Sequence, residues 1–392
     1  MTSSSFEILA PRRIVFGRGL ASALPSHVGA LVPSGAPVFV VTGRDPSRHR
    51  ALLDVLGRAH PLALHTIAHE PSLEDAIEAT RLARAHRASL VVGLGGGSAL
   101  DLAKAVAALA TNPGDPLDYL EVVGRGTPLT HEPLPFVAVP TTAGTGAEAT
   151  KNAVLSALAS DGRRVKVSLR SDRMLPTLAL IDPCLALTAP REVTAATGLD
   201  ALVQVIEPFV SHAATPFTDA LCRDAISRGA RALPHLCAHL DDLDARTDMA
   251  LVSLYGGLAL ANAKLGAVHG FAGPLGGLFA APHGTICASL LPHVLEANLH
   301  ALRARTPSSP ALARYTELAR SVTATPDAVA EDAIGWAHTL TRTLDIPTLG
   351  AIGVRTDDLE LVASQAARSS SMKGNPIVLT DAELRAILER AL

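Results

Sequence analysis

Two histidines stand fourteen residues apart in GAVHGFAGPLGGLFAAPHG, residues 266–284, a run of glycine, alanine, proline and apolar residues with no other charge. His269 and His283 are either two unrelated core histidines or half of a metal site whose remaining ligands lie elsewhere. TGLDALVQVIEPF, residues 197–209, offers partners, because Asp200 and Gln204 are four apart on a predicted helix and share one face. One carboxylate, one amide oxygen and two imidazoles suit a divalent cation such as Fe2+ or Zn2+, with a position left for a substrate oxygen. On residue type alone, Asp200 could equally be a helix N-terminal charge and Gln204 an exposed polar side chain.

A second chemistry sits earlier in the chain. GLGGGSALDLAKA, residues 93–105, joins a buried strand to a helix through three consecutive glycines. Glycine lets backbone approach a ligand closely, and a helix N-terminus offers N–H donors and a positive dipole end, which together suit a pyrophosphate. The spacing is not GxGxxG, so it is not the usual dinucleotide fingerprint; the alternative is a tight turn without a ligand, which the strand-turn-helix context disfavours. Asp101 and Lys104 on the first helical turns are solvated charges or a pair that fixes the loop. PTTAGTGAEAT, residues 140–150, is a second loop whose hydroxyls and glycine N–H groups could face a phosphate or a nicotinamide ring. Two such loops after adjacent parallel strands converge on one crevice at the carboxyl edge of a sheet.

The elements that must carry these loops alternate. VFVVT (38–42), SLVVGLGGGS (89–98), FVAVPTTAGTG (136–146) and TLALIDP (177–183) read as strands, three of them running into turns or loops. EPSLEDAIEATRLARAH (70–86) reads as a helix with Ser72 as N-cap and Asp75 completing a capping box, and residues 98–110 as a helix capped by Ser98. Alternation of this kind predicts a parallel, doubly wound sheet. After about residue 188 strand signals stop. Residues 191–210, 215–236, 245–265 and 381–392 read as helices, and RTPSSPALAR as a surface loop. The expected organisation is α/β plus all-α: a dinucleotide-binding domain over 1–188 and a helical metal and substrate domain over 189–392.

Composition narrows the class. The 392 residues exceed what one hydrophobic core supports, and 48% are hydrophobic. The formal net charge is −3, with no basic tract for nucleic acid and no acidic tail. MTSSSFEILAPRR is not built as a secretory signal, and no run of eighteen apolar residues predicts a membrane span. Cys184, Cys222, Cys237 and Cys287 show no CxxC spacing and read as reduced thiols of a cytoplasmic protein, neither a disulfide framework nor a zinc knuckle.

PRRIVFGRG (11–19), GGGS, VPTTAGTGAE, LIDP, GLDAL, VHGFAGPLGG, PHG and LLPHV occur in an order that resembles the iron-containing (group III) alcohol dehydrogenases. Their relatives include glycerol dehydrogenase, maleylacetate reductase and dehydroquinate synthase. The resemblance implies an N-terminal dinucleotide-binding domain, a helical C-terminal domain and an active site in the cleft between. It assigns Gly95, Gly96, Gly97 and Ser98 to the pyrophosphate. Thr141, Thr142, Thr145, Gly146 and Lys166 fall to the cofactor as well, with Asp101 beside them. Asp200, His269 and His283 match metal ligands and become the expected catalytic residues. The resemblance also implies at least a homodimer, with a small alcohol or carbonyl compound as substrate.

Two positions depart from the family's pattern. Its second ligand is a histidine where this chain has Gln204, and many members have a histidine near the substrate where this chain has Gly273. An amide oxygen is a weaker ligand than imidazole for Fe2+ or Zn2+, so weakened metal binding is expected. Without metal, His269 or His283 is the group to polarise a carbonyl. Where NAD-preferring members often have aspartate after the first strand, VVTGRDPSRHR (40–50) has Gly43 followed by Arg44, with Arg48 and Arg50 near. Losing a carboxylate and gaining guanidinium groups favours NADP(H) over NAD(H), unless Asp45 turns inward to the ribose. The expected function is a reversible NAD(P)-dependent dehydrogenase of an alcohol and its aldehyde or ketone. The alternatives are a metal-independent reductase of an anionic keto acid, for which the helical part offers Lys264, a lyase of the dehydroquinate synthase type, and a non-catalytic nucleotide-binding protein.

Overall fold

The computed structural model describes residues 5–159, 162–279 and 281–392. Two compact units make up the chain. One runs from Leu9 to Thr142 and from Gly146 to Ala189; the other takes Pro190–Leu392, the segment Ala143–Thr145 and the described residues up to Ile8.

The first unit is built on β1 (Ile14–Phe16), β2 (Val38–Gly43), β3 (Leu62–Ile67), β4 (Leu90–Gly95), β5 (Phe136–Pro140) and β8 (Leu178–Ile181), all parallel, in the order β1-β8-β5-β4-β2-β3. β6 (Asn152–Leu158) and β7 (Arg164–Arg170) form a separate antiparallel hairpin. Helices α1 (Leu24–Gly29), α2 (Arg50–Ala59), α3 (Leu73–Ala85) and α4 (Gly97–Thr111) cover the sheet. The central strands are apolar on both faces, as a doubly wound sheet requires. Phe39, Val41 and Val91 pack with α3 and α4 on one side, while Val38, Val40 and Val92 pack with α1 and α2 on the other.

The four strands expected from sequence are present. β1, β3 and the hairpin are additions to that expectation. β3, LALHTI, is half-exposed along most of its length, which hides the buried-strand pattern. Ser72 and Asp75 form the capping box. The cap of α4 differs from expectation: its N-cap is Gly96 in extended conformation, not Ser98, and no side chain caps it. A glycine cap leaves the helix entrance without a competing side-chain acceptor, the arrangement an anion site needs.

The second unit contains, among the described residues, α5 (Arg191–Val210), α6 (Pro216–Ala238), α7 (Leu243–Asn262), α8 (Ala267–Leu278), α9 (His283–Arg305), α10 (Ala311–Thr323), α11 (Ala330–Thr343), α12 (Leu359–Arg368) and α13 (Asp381–Ala391). Of RTPSSPALAR, Arg305 closes α9, residues 306–310 are loop and the rest opens α10. α5 is the central helix, packed by α6, α7 and α9. By length and composition α5 could cross a membrane, but 89% of its most apolar window is buried within the protein, as in the core helix of a folded domain.

Candidate functional site

α5 carries three polar side chains on one buried face: Asp200, Gln204 and Glu207, at spacings of four and three. In the interior of an apolar helix such groups are costly unless they are partnered. Glu207 is fully engaged. Its Oε1 accepts from the Val268 backbone N–H at 2.7 Å, and its Oε2 lies 2.6 Å from His269 Nδ1 in the first turn of α8. Gln204 donates its amide N–H to the Thr145 carbonyl at 2.8 Å. The neighbouring Gly144 N–H is held by the Ser253 hydroxyl at 3.0 Å, so residues 143–145 are fastened to α5 and α7.

Asp200 is different. Its Oδ1 and His269 Nε2 are both buried without a hydrogen-bond partner, and they face each other at 3.5 Å. His283, the first residue of α9, brings its Nε2 to 3.8 Å from the same Asp200 oxygen. Cys287, one turn further along α9, has its Sγ 3.7 Å from His283 Nε2. One donor atom from each of Asp200, His269, His283 and Cys287 lies within 4.8 Å of the others. α9 reaches α5 this closely because of Gly284, where a Cβ would lie 2.2 Å from the Ala196 carbonyl oxygen.

The electrostatics favour a positive charge at this spot. Burial alone would lower the His269 pKa, but the negative charges of the facing Asp200 and of the hydrogen-bonded Glu207 hold it up at about 10. Burial likewise opposes the Asp200 carboxylate, yet the charges of His283 and His269 keep its pKa below the usual range. Buried oxygen and nitrogen lone pairs that converge with no partner fit a divalent cation. The Glu207–His269 contact is the supporting carboxylate that metal-ligating histidines commonly have.

Sequence brings Asp200, His269 and His283 forward, and the structure gathers them. Glu207 and Cys287 belong to the site as well, and sequence reasoning misses both. Glu207 continues the Asp200 face at i+7, and Cys287 follows His283 at i+4; these spacings are the available signals, and a search for CxxC patterns passes over them. An added Cβ at Gly273 meets nothing within 4 Å, so that face of α8 is open. Lys264 is exposed between α7 and α8.

In the sheet unit, connections from β2 and β4 depart to opposite sides, which makes the ends of those strands the topological switch point. Gly43 closes β2 and Gly95 closes β4; a Cβ on Gly95 would lie 2.7 Å from Ala99 Cβ and 3.2 Å from Gly43 N. The Thr141 N–H donates to the Gly95 carbonyl at 2.9 Å, and Gly96 packs on Thr142, so the two loops adjoin. Gly146 turns the second loop in the left-handed region at φ 61°. Asp101 accepts from the Val154 N–H at 3.2 Å, while Lys104, 1% exposed, donates to Thr150 Oγ1 and the Asn152 carbonyl. Burial raises the Asp101 pKa to about 6 and lowers that of Lys104 to about 8. This pair ties α4 to the hairpin. Lys166 is paired with Glu70. Asp45 is engaged locally: it accepts from the Ser47 N–H and hydroxyl and sits 3.6 Å from Arg48. Arg44 is exposed.

Comparison with known proteins matches residues 11–183 to iron-containing alcohol dehydrogenase and residues 194–392 to the C-terminal part of the Fe-containing alcohol dehydrogenase family. The chain is 38% identical over 328 residues to long-chain-alcohol dehydrogenase 1 of Geobacillus thermodenitrificans, covering 83% of this chain and 80% of that protein. It is 36% identical over 322 residues to alcohol dehydrogenase 4 of Saccharomyces cerevisiae strain S288c, covering 82% and 80%. Among solved structures, 1,3-propanediol oxidoreductase superposes with a TM-score of 0.89 at 32% identity, over 99% of this chain and 100% of that one.

Proposed function

Because the chain belongs to the iron-containing alcohol dehydrogenase family, and is thus a nicotinamide-dependent oxidoreductase of alcohols and their carbonyl partners, we propose a division of labour among its residues. Asp200, His269 and His283 would hold a divalent cation. Gln204 is at best a weak fourth ligand, since an amide oxygen binds Fe2+ or Zn2+ less well than imidazole. A cation held there supplies Lewis-acid polarisation of a substrate oxygen. The observation that carries this reading is the pair of buried, unpartnered atoms, Asp200 Oδ1 and His269 Nε2, facing one another.

The protein's own groups bind and orient. Glu207 anchors His269 through Nδ1, which directs the Nε2 lone pair toward Asp200. Gly95, Gly96, Gly97 and Ser98, at an uncapped helix entrance, cradle the pyrophosphate. Thr141, Thr142, Thr145 and Gly146 line the cofactor. Asp101 and Lys166 complete the cofactor-binding set. A nicotinamide cofactor held by these residues would supply the hydride chemistry.

NADP(H) is the favoured cofactor. Gly43 brings no carboxylate to the switch point, Arg44 is exposed beside it, and Asp45 is occupied by Ser47 and Arg48. The test is NADPH and NADH oxidation against a panel of small aldehydes, before and after chelation, with metal content measured on the same protein. Turnover lost on chelation and restored by Zn2+ or Fe2+ supports the reading. Undiminished turnover in metal-free protein would refute it and favour the metal-independent alternative.

A further inference from the structure

Cys287 has no part in the ligand set that family resemblance assigns, yet it lies inside the cluster. It is fully buried, in no disulfide, and one helical turn from His283 on the same face of α9. We propose that Cys287, as a thiolate, is the fourth protein ligand of the cation, replacing the Gln204 amide and giving a set of one carboxylate, two imidazoles and one thiolate suited to Zn2+. This rests on the reading above that the cluster holds a divalent cation.

Three observations carry it. Bonds of about 2.1 Å to nitrogen or oxygen and about 2.3 Å to sulfur put the corners of a tetrahedron roughly 3.4–3.6 Å apart. The separations here are 3.5 Å for His269 to Asp200, 3.8 Å for His283 to Asp200 and 3.7 Å for Cys287 to His283. Three of the six separations are thus close to bound dimensions, and all six lie within 4.8 Å. Second, Cys287 Sγ is within 4.8 Å of the donor atoms of Asp200, His269 and His283. Third, two anionic ligands balance the two charges of the cation in a buried place, and thiolate is the ligand type that selects zinc among borderline metals. On binding, the thiol proton and the proton held by His269 are released to solvent. The competing arrangement is a plain S–H···N hydrogen bond from Cys287 to His283, with no role toward a cation.

The experiment uses the full chain stripped of metal and titrated with Co2+ alone. The expected result is a near-ultraviolet thiolate-to-cobalt charge-transfer band that saturates at one equivalent. The band persists in Cys184→Ser and is lost in Cys287→Ser and Cys287→Ala. Zn2+ affinity in those two variants falls by more than the ~10–100-fold that loss of a supporting hydrogen bond costs. Their melting temperatures without metal report whether they fold. X-ray absorption on zinc-loaded unmutated protein needs no variant, and one sulfur at about 2.3 Å is expected. One equivalent of Co2+ bound without the band, or a zinc shell of nitrogen and oxygen only, overturns the role of Cys287 and leaves the cation site standing. No uptake of Co2+ or Zn2+ by the unmutated chain overturns both.

Discussion

Glu207→Gln separates support of a ligand from the ligand itself. Both partners of the Glu207 carboxylate are donors: the Val268 N–H at 2.7 Å and, when Nε2 keeps its lone pair, His269 Nδ1–H at 2.6 Å. A carboxylate accepts from both, but a glutamine amide has one oxygen and one NH2. The backbone donor cannot change, so the amide oxygen stays on Val268 and the NH2 turns to His269. Nδ1 must then become the acceptor, which moves the ring proton to Nε2, the atom 3.5 Å from Asp200 Oδ1. Binding a cation through Nε2 requires the other tautomer, with N–H facing NH2, at a cost of about 1–3 kcal/mol. At about 1.4 kcal/mol per tenfold, Zn2+ affinity falls by roughly one to two orders of magnitude, within the ~10–100-fold typical of lost supporting groups. Metal-free melts accompany the titration, because the amide also removes a carboxylate that helps to hold up the His269 pKa. The assay is Zn2+ competition against a chromophoric chelator, beside thermal melts of the metal-free protein. Zn2+ affinity within about threefold of the unmutated chain, in a variant that melts normally, would refute the tautomer argument.

Three further outcomes are expected. Gly284→Ala sets a Cβ against the Ala196 carbonyl, forces α9 away from α5 and draws His283 off Asp200; stability drops by about 1–3 kcal/mol and Zn2+ binding weakens, read by calorimetry and titration, and a normal melt with normal affinity would contradict the close approach. Gly43→Asp has open space for its side chain and restores a carboxylate at the end of β2; the NADPH-to-NADH ratio of kcat/KM falls at least about tenfold, and an unchanged ratio would remove the basis for the NADP(H) preference. His293 is lowered to about 4 from 6.5, first by burial and then by the charges of His338 and Arg390, against the opposing Glu296. The folded chain releases this proton more readily than the unfolded one, so the stabilisation is complete above pH 6.5 and is lost as pH falls through 4. It is on the order of 2 kcal/mol once partial exposure is discounted, and His293→Asn should flatten the melting-temperature profile between about pH 6.5 and 4.

Much of the sheet unit is legible because its signals are local. Val38–Gly43, Leu90–Gly95 and Phe136–Pro140 are uninterrupted apolar runs ending at glycine or proline, and a central parallel strand has few other ways to be written. Ser72 and Asp75 announce α3 because a capping box is satisfied within four residues. The hairpin β6–β7 is not legible in this way, since its partner for burial is α4, some fifty residues away in sequence. Ser98 suits a cap by residue type alone; the cap is instead Gly96, two residues earlier.

The division is sharpest in the cation cluster. Sequence determined which residue types stand at which helical spacing: Asp200 and Gln204 on one face, His269 and His283 in glycine-rich entrances to helices. Side-chain chemistry limits what such groups can bind, so the class of site followed from them. Which atoms meet was left to packing. Only the fold places Asp200 Oδ1 opposite His269 Nε2 with neither hydrogen-bonded, turns the Gln204 amide to Thr145, spends the Glu207 carboxylate on His269, and brings Cys287 Sγ to His283. Those contacts join residues up to 69 positions apart along the chain, from Asp200 to His269. They depend on how closely helices approach, which at Gly284 is set by the absence of a single methyl group.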